Sequence, residues 1–246
     1  MPALAIILGR HGSKGLPGKN IAPVAGKPCI AWTIEHAHAS GGVGAVVVSC
    51  DAGPITDIAS SMGTPVLERP SELAGDQATV DAAARHALEA ASADHGRADL
   101  DPIVLLYANV PVRPPDLTDR AIELQAETGC DSVQSYAEVG KHHPWWTAVV
   151  DDAGRVRAFD HGPLNHNVYR RQDLPPAHLP DGGVIVVTRA ALTLAIDEVD
   201  PGPHAFFGRD RRGIITRERE VIDIDTEADR LVADVILDRR RSRDVH

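Results

Sequence analysis

No apolar stretch in the 246 residues is long enough to cross a bilayer. The apolar run near the start, Leu4 to Leu8, is too short for the core of a secretory signal. Cysteine is scarce: Cys29, Cys50 and Cys130 are odd in number and isolated, and they form neither a zinc spacing nor a CxxC pair. These absences lead us to expect reduced, mostly buried thiols in a cytoplasmic protein with no membrane partner. Positive charge is in deficit, with 25 Lys+Arg against 35 Asp+Glu and a net charge of −10. That excludes a general nucleic-acid partner, which needs a basic footprint. No internal repeat or low-complexity segment is present. What remains is 43% hydrophobic and 24% charged, an ordinary globular composition, sufficient for one large α/β domain or a domain with an elaboration.

Acid is missing locally as well: no Asp or Glu precedes Glu35. In that acid-free stretch the loop Gly9–Asn20 gathers Arg10, Lys14 and Lys19 among Gly12, Gly15 and Gly18. A loop of this kind, just after a first strand, is suited to cradling a small phosphate-bearing ligand. It is not a P-loop, because Ser13 stands where the first glycine would be and Asn20 where a Ser or Thr would hold magnesium. It is not a GxGxxG fingerprint either, because its glycines recur every third residue. On spacing alone, a glycine-rich turn with solvated lysines remains the alternative.

Apolar runs alternate with helical patterns. Strands are expected at Ala5–Leu8, Ala45–Ser49, Pro65–Leu67, Pro102–Leu106, Asp131–Ser135 and Gly183–Thr188, with a late short strand at Val221–Ile224. Helices are expected at Pro28–Ser40, Pro54–Met62 and Pro115–Thr128, each starting at a proline and closed by glycine, and also at Thr79–Ala91 and Thr226–Arg240. Strands that are apolar throughout and separated by helices imply an α/β, doubly wound, mostly parallel sheet. Residues 140–181, rich in Pro, His and Arg and with little periodicity, read as an inserted subdomain within a single 1–246 unit. The basic cluster Arg239–Arg243 suits a solvated helix C-terminus.

A second constellation is Asp223-Ile224-Asp225. Residues two apart in a strand share a face. Paired carboxylates repel unless a cation such as Mg²⁺, shared with phosphates, neutralises them. A surface strand of alternating charge is the bland alternative.

The loop and the acid pair together resemble the CMP-sialic acid synthetases (acylneuraminate cytidylyltransferases). The residues that carry the resemblance are Gly9-Arg10-His11-Gly12-Ser13-Lys14-Gly15-Leu16-Pro17-Gly18-Lys19-Asn20, Val48-Ser49-Cys50-Asp51, Arg69-Pro70-Ser71-Glu72-Leu73-Ala74-Gly75-Asp76, Arg171-Gln172-Asp173-Leu174-Pro175, Pro180-Asp181-Gly182 and Ile222-Asp223-Ile224-Asp225-Thr226. The resemblance implies a Rossmann-like fold of the nucleotide-diphospho-sugar transferase type. It implies transfer of CMP from CTP to a 2-keto-3-deoxy sugar acid with release of pyrophosphate. Arg10, Lys19, Asp223 and Asp225 would be catalytic. Gly9, Arg10, Ser13, Lys14, Gly15, Lys19, Asn20, Arg69 and Thr79 would bind nucleotide. Asp223 and Asp225 would hold Mg²⁺ or another divalent cation. The inserted region would make a homodimer, with residues that approach the partner's site.

Departures cluster around the acceptor. Tyr107-Ala108-Asn109-Val110-Pro111-Val112-Arg113 replaces a Gln-Pro-Thr-Ser-Pro-Leu-Arg pattern, Trp145-Trp146 replaces a lysine, and Ile185 stands for a tyrosine. Candidate acceptor contacts are therefore Tyr107, Asn109, Arg113, Arg170, Arg171 and Gln172, with Arg170 and Arg171 suited to an acidic group and ion pairing to Asp173 as their alternative. The expected acceptor is a small acid other than ordinary N-acetylneuraminate, such as another keto-deoxy acid or a phosphonate. Two further readings stay open: a nucleotidyltransferase that uses another NTP, and a non-catalytic nucleotide-binding regulator.

Overall fold

The computed structural model describes residues 1–12, 15–75, 78–93 and 96–244. Among them a seven-stranded sheet forms from β1 (Ala3–Leu8), β2 (Val43–Cys50), β3 (Val66–Glu68), β4 (Ile103–Tyr107), β5 (Ser132–Glu138), β6 (His178–Val187) and β7 (Arg211–Thr216). Its order is β7-β5-β6-β4-β1-β2-β3. β1 pairs in parallel with β2 and β4, β2 with β3, and β5 with β7. β6 runs antiparallel to both β4 and β5, so the sheet is mixed but mostly parallel.

Among the described residues six α-helices surround it: α1 (Cys29–Ala39), α2 (Pro54–Ser61), α3 (Val80–Ser92), α4 (Leu117–Thr128), the short α5 (Arg189–Leu192) and α6 (Glu227–Asp244). Their ends follow local chemistry. The Thr79 side chain caps α3 by accepting from the Ala82 N–H. Pro54 sits at the first turn of α2, and Gly129 closes α4 in the left-handed conformation, with φ 64°.

β1 shows how the layers form. Ala3, Ala5 and Ile7 join one core with Ile30 and Ile34 of α1, Ile55 of α2 and Leu117 of α4. Leu4, Ile6 and Leu8 join a second core on the opposite face, with Ala84, Ala87 and Leu88 of α3 and Phe206 and Phe207. Strict alternation in a strand wholly apolar on both sides is what a sheet covered on both faces demands. Each fully buried leucine or isoleucine here contributes about 1.5–3 kcal/mol.

Two expectations needed correction. Val221–Ile224 is not a strand of the sheet; it makes one isolated antiparallel bridge, Val112 to Ile222. The outer strand is instead Arg211–Thr216, which begins Arg-Arg-Gly and buries little beyond Ile214 and Thr216. An edge strand with one solvated face lacks the continuous apolar run that marks its neighbours. β6 also starts at His178, inside the span read as an insertion, where His178–Pro180 pairs with Tyr136–Glu138. The rest of 140–177 forms short 3-10 turns and a small two-stranded ladder, Ala148–Val150 with Val156–Ala158.

Candidate active site

β1 ends at Leu8, and the chain leaves the sheet at the carboxyl ends of the parallel strands, where open α/β sheets bind ligands. The loop that follows is tied at both ends. Gly9 N–H donates to the Ser49 carbonyl at 3.1 Å, and His11 N–H to Asp51 Oδ1 at 2.7 Å. At the far end the buried Asn20 donates from Nδ2 to the Arg10 carbonyl at 2.7 Å. Ser13 and Lys14 lie outside the described residues.

The acid pair meets this loop directly. Lys19 Nζ is 2.5 Å from Asp225 Oδ1. A Cβ on Gly15 would lie 2.8 Å from the Asp225 carbonyl oxygen, so the loop and the Asp-Ile-Asp segment touch backbone to backbone. Ile224, fully buried in a third cluster with Val112, Ala233 and Leu237, anchors the segment between its two aspartates. Ile224 N–H donates to the Asn109 carbonyl at 2.9 Å, and Asn109 Nδ2 donates to Asp223 Oδ1. Thr226 and Asp229 cap α6 reciprocally, and Asp229 Oδ2 also takes the Asp225 N–H at 3.2 Å. Asp223 therefore faces the cleft. Loss of solvent there and then the nearby Asp225 charge push its carboxyl up to about 6.

A cleft of about 310 Å³ is lined by Gly9, Arg10, Lys19, Asn20, Arg69, Thr79, Tyr107, Asn109 and Asp223, together with Leu73, Gly75, Ala78 and Val80. Of the described residues expected at a nucleotide, Gly9, Arg10, Lys19, Asn20, Arg69 and Thr79 converge here, and Gly15 packs beside them on Asp225. An adjoining chamber of about 440 Å³ shares Thr79, Val80 and Tyr107 with the cleft and continues over Gln134, Tyr136, His204, Phe206, Phe207, Arg211 and Arg212. Sequence reasoning missed this second chamber. Its one signal was Phe206-Phe207, two of the three phenylalanines in the chain, set side by side.

The expected acceptor residues divide. Tyr107 and Asn109 line the cleft. Arg113 does not. It is 4% exposed and donates inward, to the carbonyls of Gly183 (2.7 Å), Tyr107 (2.9 Å) and Val110 and to Thr33 Oγ1 (2.9 Å). Burial pushes it down to about 10, still well above neutral pH. Its place in the interior makes it a brace under the cleft rather than an acceptor contact. Arg170 forms the Asp173 pair weighed as its alternative, with Nε 2.8 Å from Oδ2. Arg171 and Gln172 line a separate hollow with Glu138 and His143, and Arg171 approaches Glu218 at 3.4 Å. His143 is buried and spent locally, on the Pro175 carbonyl and the Trp145 N–H. Trp145 stacks on His166 with ring centroids 4.5 Å apart.

Among the described residues, no three His, Cys, Asp or Glu side chains cluster as a metal cage, and no helix is long and apolar enough to cross a membrane.

The sheet order and the cleft at its carboxyl end define a Rossmann-like α/β protein. A sequence profile described as "Cytidylyltransferase" matches residues 4–177. The chain belongs to this cytidylyltransferase family. Among its relatives is the N-acylneuraminate cytidylyltransferase of Streptococcus agalactiae serotype V (strain ATCC BAA-611 / 2603 V/R), 34% identical over 190 residues that make up 76% of this chain and 43% of that protein. Another is the CMP-N,N'-diacetyllegionaminic acid synthase of Legionella pneumophila subsp. pneumophila (strain Philadelphia 1 / ATCC 33152 / DSM 7513), 35% identical over 158 residues, 63% of this chain and 66% of that one. The chain spans less than half the length of the Streptococcus relative. Among solved structures, a CMP:2-keto-3-deoxy-manno-octonic acid synthetase complexed with CTP shares the fold, with a TM-score of 0.69 at 16% identity over 98% of this chain and 100% of that one.

Proposed function

We propose that this protein transfers CMP from CTP to a small acidic sugar acceptor and releases pyrophosphate. The observation that carries the reading is the junction of Lys19 with Asp225 at the wall of a cleft that also holds Arg10, Asn20, Arg69 and Asp223. Arg10 and Lys19 would take the triphosphate, and Asn20 and Arg69 the cytosine. Phosphoryl chemistry of this type is mostly positioning and charge neutralisation.

Asp223 and Asp225 fit Mg²⁺ or another divalent cation. Two hard carboxylates straddle one residue, and the charge of Asp225 already disfavours ionised Asp223. With only two protein carboxylates, the remaining coordination sites suit phosphate and water. When bound, such a cation would neutralise charge on the phosphate oxygens. In the reaction the acceptor hydroxyl oxygen bonds to the α-phosphorus, the bond to the pyrophosphate oxygen breaks, and the hydroxyl proton leaves to a carboxylate of the pair.

The adjoining chamber is our candidate for the acceptor, because Tyr107 and Thr79 border both spaces. Phe206 and Phe207 offer it an apolar wall, and Arg211 and Arg212 positive charge. The names of the relatives, an acylneuraminate and a legionaminic acid, are consistent with an acidic sugar. Arg170, Arg171 and Gln172 line no part of the cleft of their own protomer. In this reading residues 140–181 pair two protomers into a homodimer and bring those residues to the partner's chamber. The exposed Val150, Val156, Phe159 and Tyr169 support such pairing.

The test is pyrophosphate release from CTP, UTP, GTP and ATP with Mg²⁺ across a panel of keto-deoxy sugar acids and phosphonates. Turnover should require CTP and one acid of the panel. Preference for a purine nucleotide would overturn the cytidine reading. Sedimentation of the full chain as a monomer would overturn the dimer.

A further inference from the structure

Arg69 is aimed at the cleft by a single residue. Its Nε donates to Ser49 Oγ at 2.8 Å, and its Nη2 donates to the Ser49 carbonyl at 2.7 Å. Both bonds leave the same edge of the planar guanidinium fork and end on one amino acid. Ser49 is fully buried near the end of β2. Its carbonyl also takes the Gly9 N–H, so one peptide group ties down both the start of the glycine loop and the arginine. The backbone of Arg69 is held too, with its N–H donating to the Cys50 carbonyl at 2.8 Å.

With the backbone and one edge fixed, the guanidinium cannot rotate about its terminal torsion. The other edge, a pair of parallel N–H groups, is left for whatever occupies the cleft that Arg69 lines. Parallel donors bind best to two adjacent acceptors. Cytosine presents such a pair, O2 and N3. Uracil presents O2 but carries a hydrogen on N3, so a fixed donor there would face another donor. A site built to satisfy hydrogen-bonding groups rejects an analogue that leaves them unpaired.

We propose that Ser49 is a positioning residue for nucleobase selectivity: its hydroxyl locks the Arg69 fork in the orientation that accepts cytosine and rejects uracil. Without the hydroxyl, the Nε donor loses its partner and the fork gains freedom to turn, so it can meet the oxygens of either base. The proposal rests on the reading of the cleft as a nucleotide site.

The test is calorimetric binding of CTP and of UTP to the full chain, in parent, Ser49→Ala and Ser49→Cys proteins, with melting temperature read alongside. Ser49→Cys keeps nearly the same side-chain volume with a far weaker acceptor, and it serves if the alanine variant does not fold. In the variants the ratio of CTP to UTP affinity should fall about tenfold or more, mainly through weaker CTP binding. A merely structural role would lower the melting temperature and scale both affinities alike. A parent that prefers CTP, with variants that keep its ratio, overturns the positioning role alone. A parent that binds both nucleotides equally overturns selectivity but leaves the cleft reading standing. A parent that binds neither overturns both.

Discussion

Lys19 of the glycine-rich loop holds the carboxylate of Asp225, 206 residues further along the chain, at 2.5 Å. That contact joins cations from the first loop to acids that precede the last helix. An exposed ion pair contributes little to stability, and Asp225 is largely exposed. Its value lies in geometry, because it sets Lys19 and Asp223 on the same cleft.

Replacing both acids should therefore separate activity from stability. The double variant Asp223→Asn, Asp225→Asn is expected to lose pyrophosphate release by about 10²–10³-fold, the scale of a lost electrostatic contact in the transition state. Its melting temperature should not fall correspondingly, because the neutral amides remove the burial cost of a charged carboxyl and the Asp225 repulsion that together push Asp223 up to about 6. Pyrophosphate release at the parent rate would remove the metal assignment. Chelation of divalent cations should silence the parent in the same assay.

Gly15 gives a prediction about shape. A methyl group there meets the Asp225 carbonyl at 2.8 Å, a backbone atom that cannot swing aside. Gly15→Ala should push the loop off the acid pair and lower kcat/KM for CTP by about tenfold or more, the scale of about 1.4 kcal/mol in transition-state binding. Gly12→Ala adds a methyl with no atom of the described residues within 4 Å and should cost far less. Steady-state kinetics on the two variants decide it, and equal losses would refute the close-approach argument.

Arg113 should behave as part of the core. Arg113→Ala leaves the carbonyls of Gly183, Tyr107 and Val110 short of a donor in the interior. We expect a loss of about 3–5 kcal/mol in urea unfolding, the sum of several buried acceptors at about 1–3 kcal/mol each after partial relaxation. Arg113→Lys should recover only part of it, since one ammonium cannot span the positions that the guanidinium reaches. A variant as stable as the parent, but with a raised acceptor KM, would return Arg113 to the acceptor site.

His36 sets an acid limit on the fold. Its Nε2 lies 2.8 Å from Thr118 Oγ1, and burial, followed by the charge of Arg113, lowers its pKa from 6.5 to about 3. A base whose folded pKa is depressed binds fewer protons folded than unfolded. Its contribution to stability is thus fully present above about pH 6.5 and is lost as pH falls toward 3. Melting temperature against pH should decline over that window, and His36→Gln, which cannot titrate, should flatten the decline. An unchanged acid limb in His36→Gln would clear this residue.

Much of the molecule was legible in the amino-acid order, for local reasons. The parallel strands announce themselves because burial on both faces requires unbroken apolar runs such as Ala5–Leu8 and Ile103–Leu106. Helix ends were marked by Pro54 and Gly129, whose backbone preferences act within one turn. Arg211–Thr216 was missed because an edge strand needs to bury only one face, and two arginines and a glycine hide that signal. Val221–Ile224 looked like a strand because its apolar residues favour burial, yet Ile222 and Ile224 pack with α6 and Val112 rather than in the sheet.

The sequence by itself determined the fold class, the family motifs and the two halves of the charged site, because these depend on short-range periodicity and on residue chemistry at fixed spacing. Only the tertiary structure decided which charges do what. It turned Arg113 inward and paired Arg170 with Asp173. It drew Phe206, Phe207, Arg211 and Arg212 around a second chamber, and it set Lys19 against Asp225. The physical reason is that desolvation and hydrogen-bond satisfaction are properties of a place in space. An arginine is a ligand contact or a structural brace according to what surrounds it after the chain has closed.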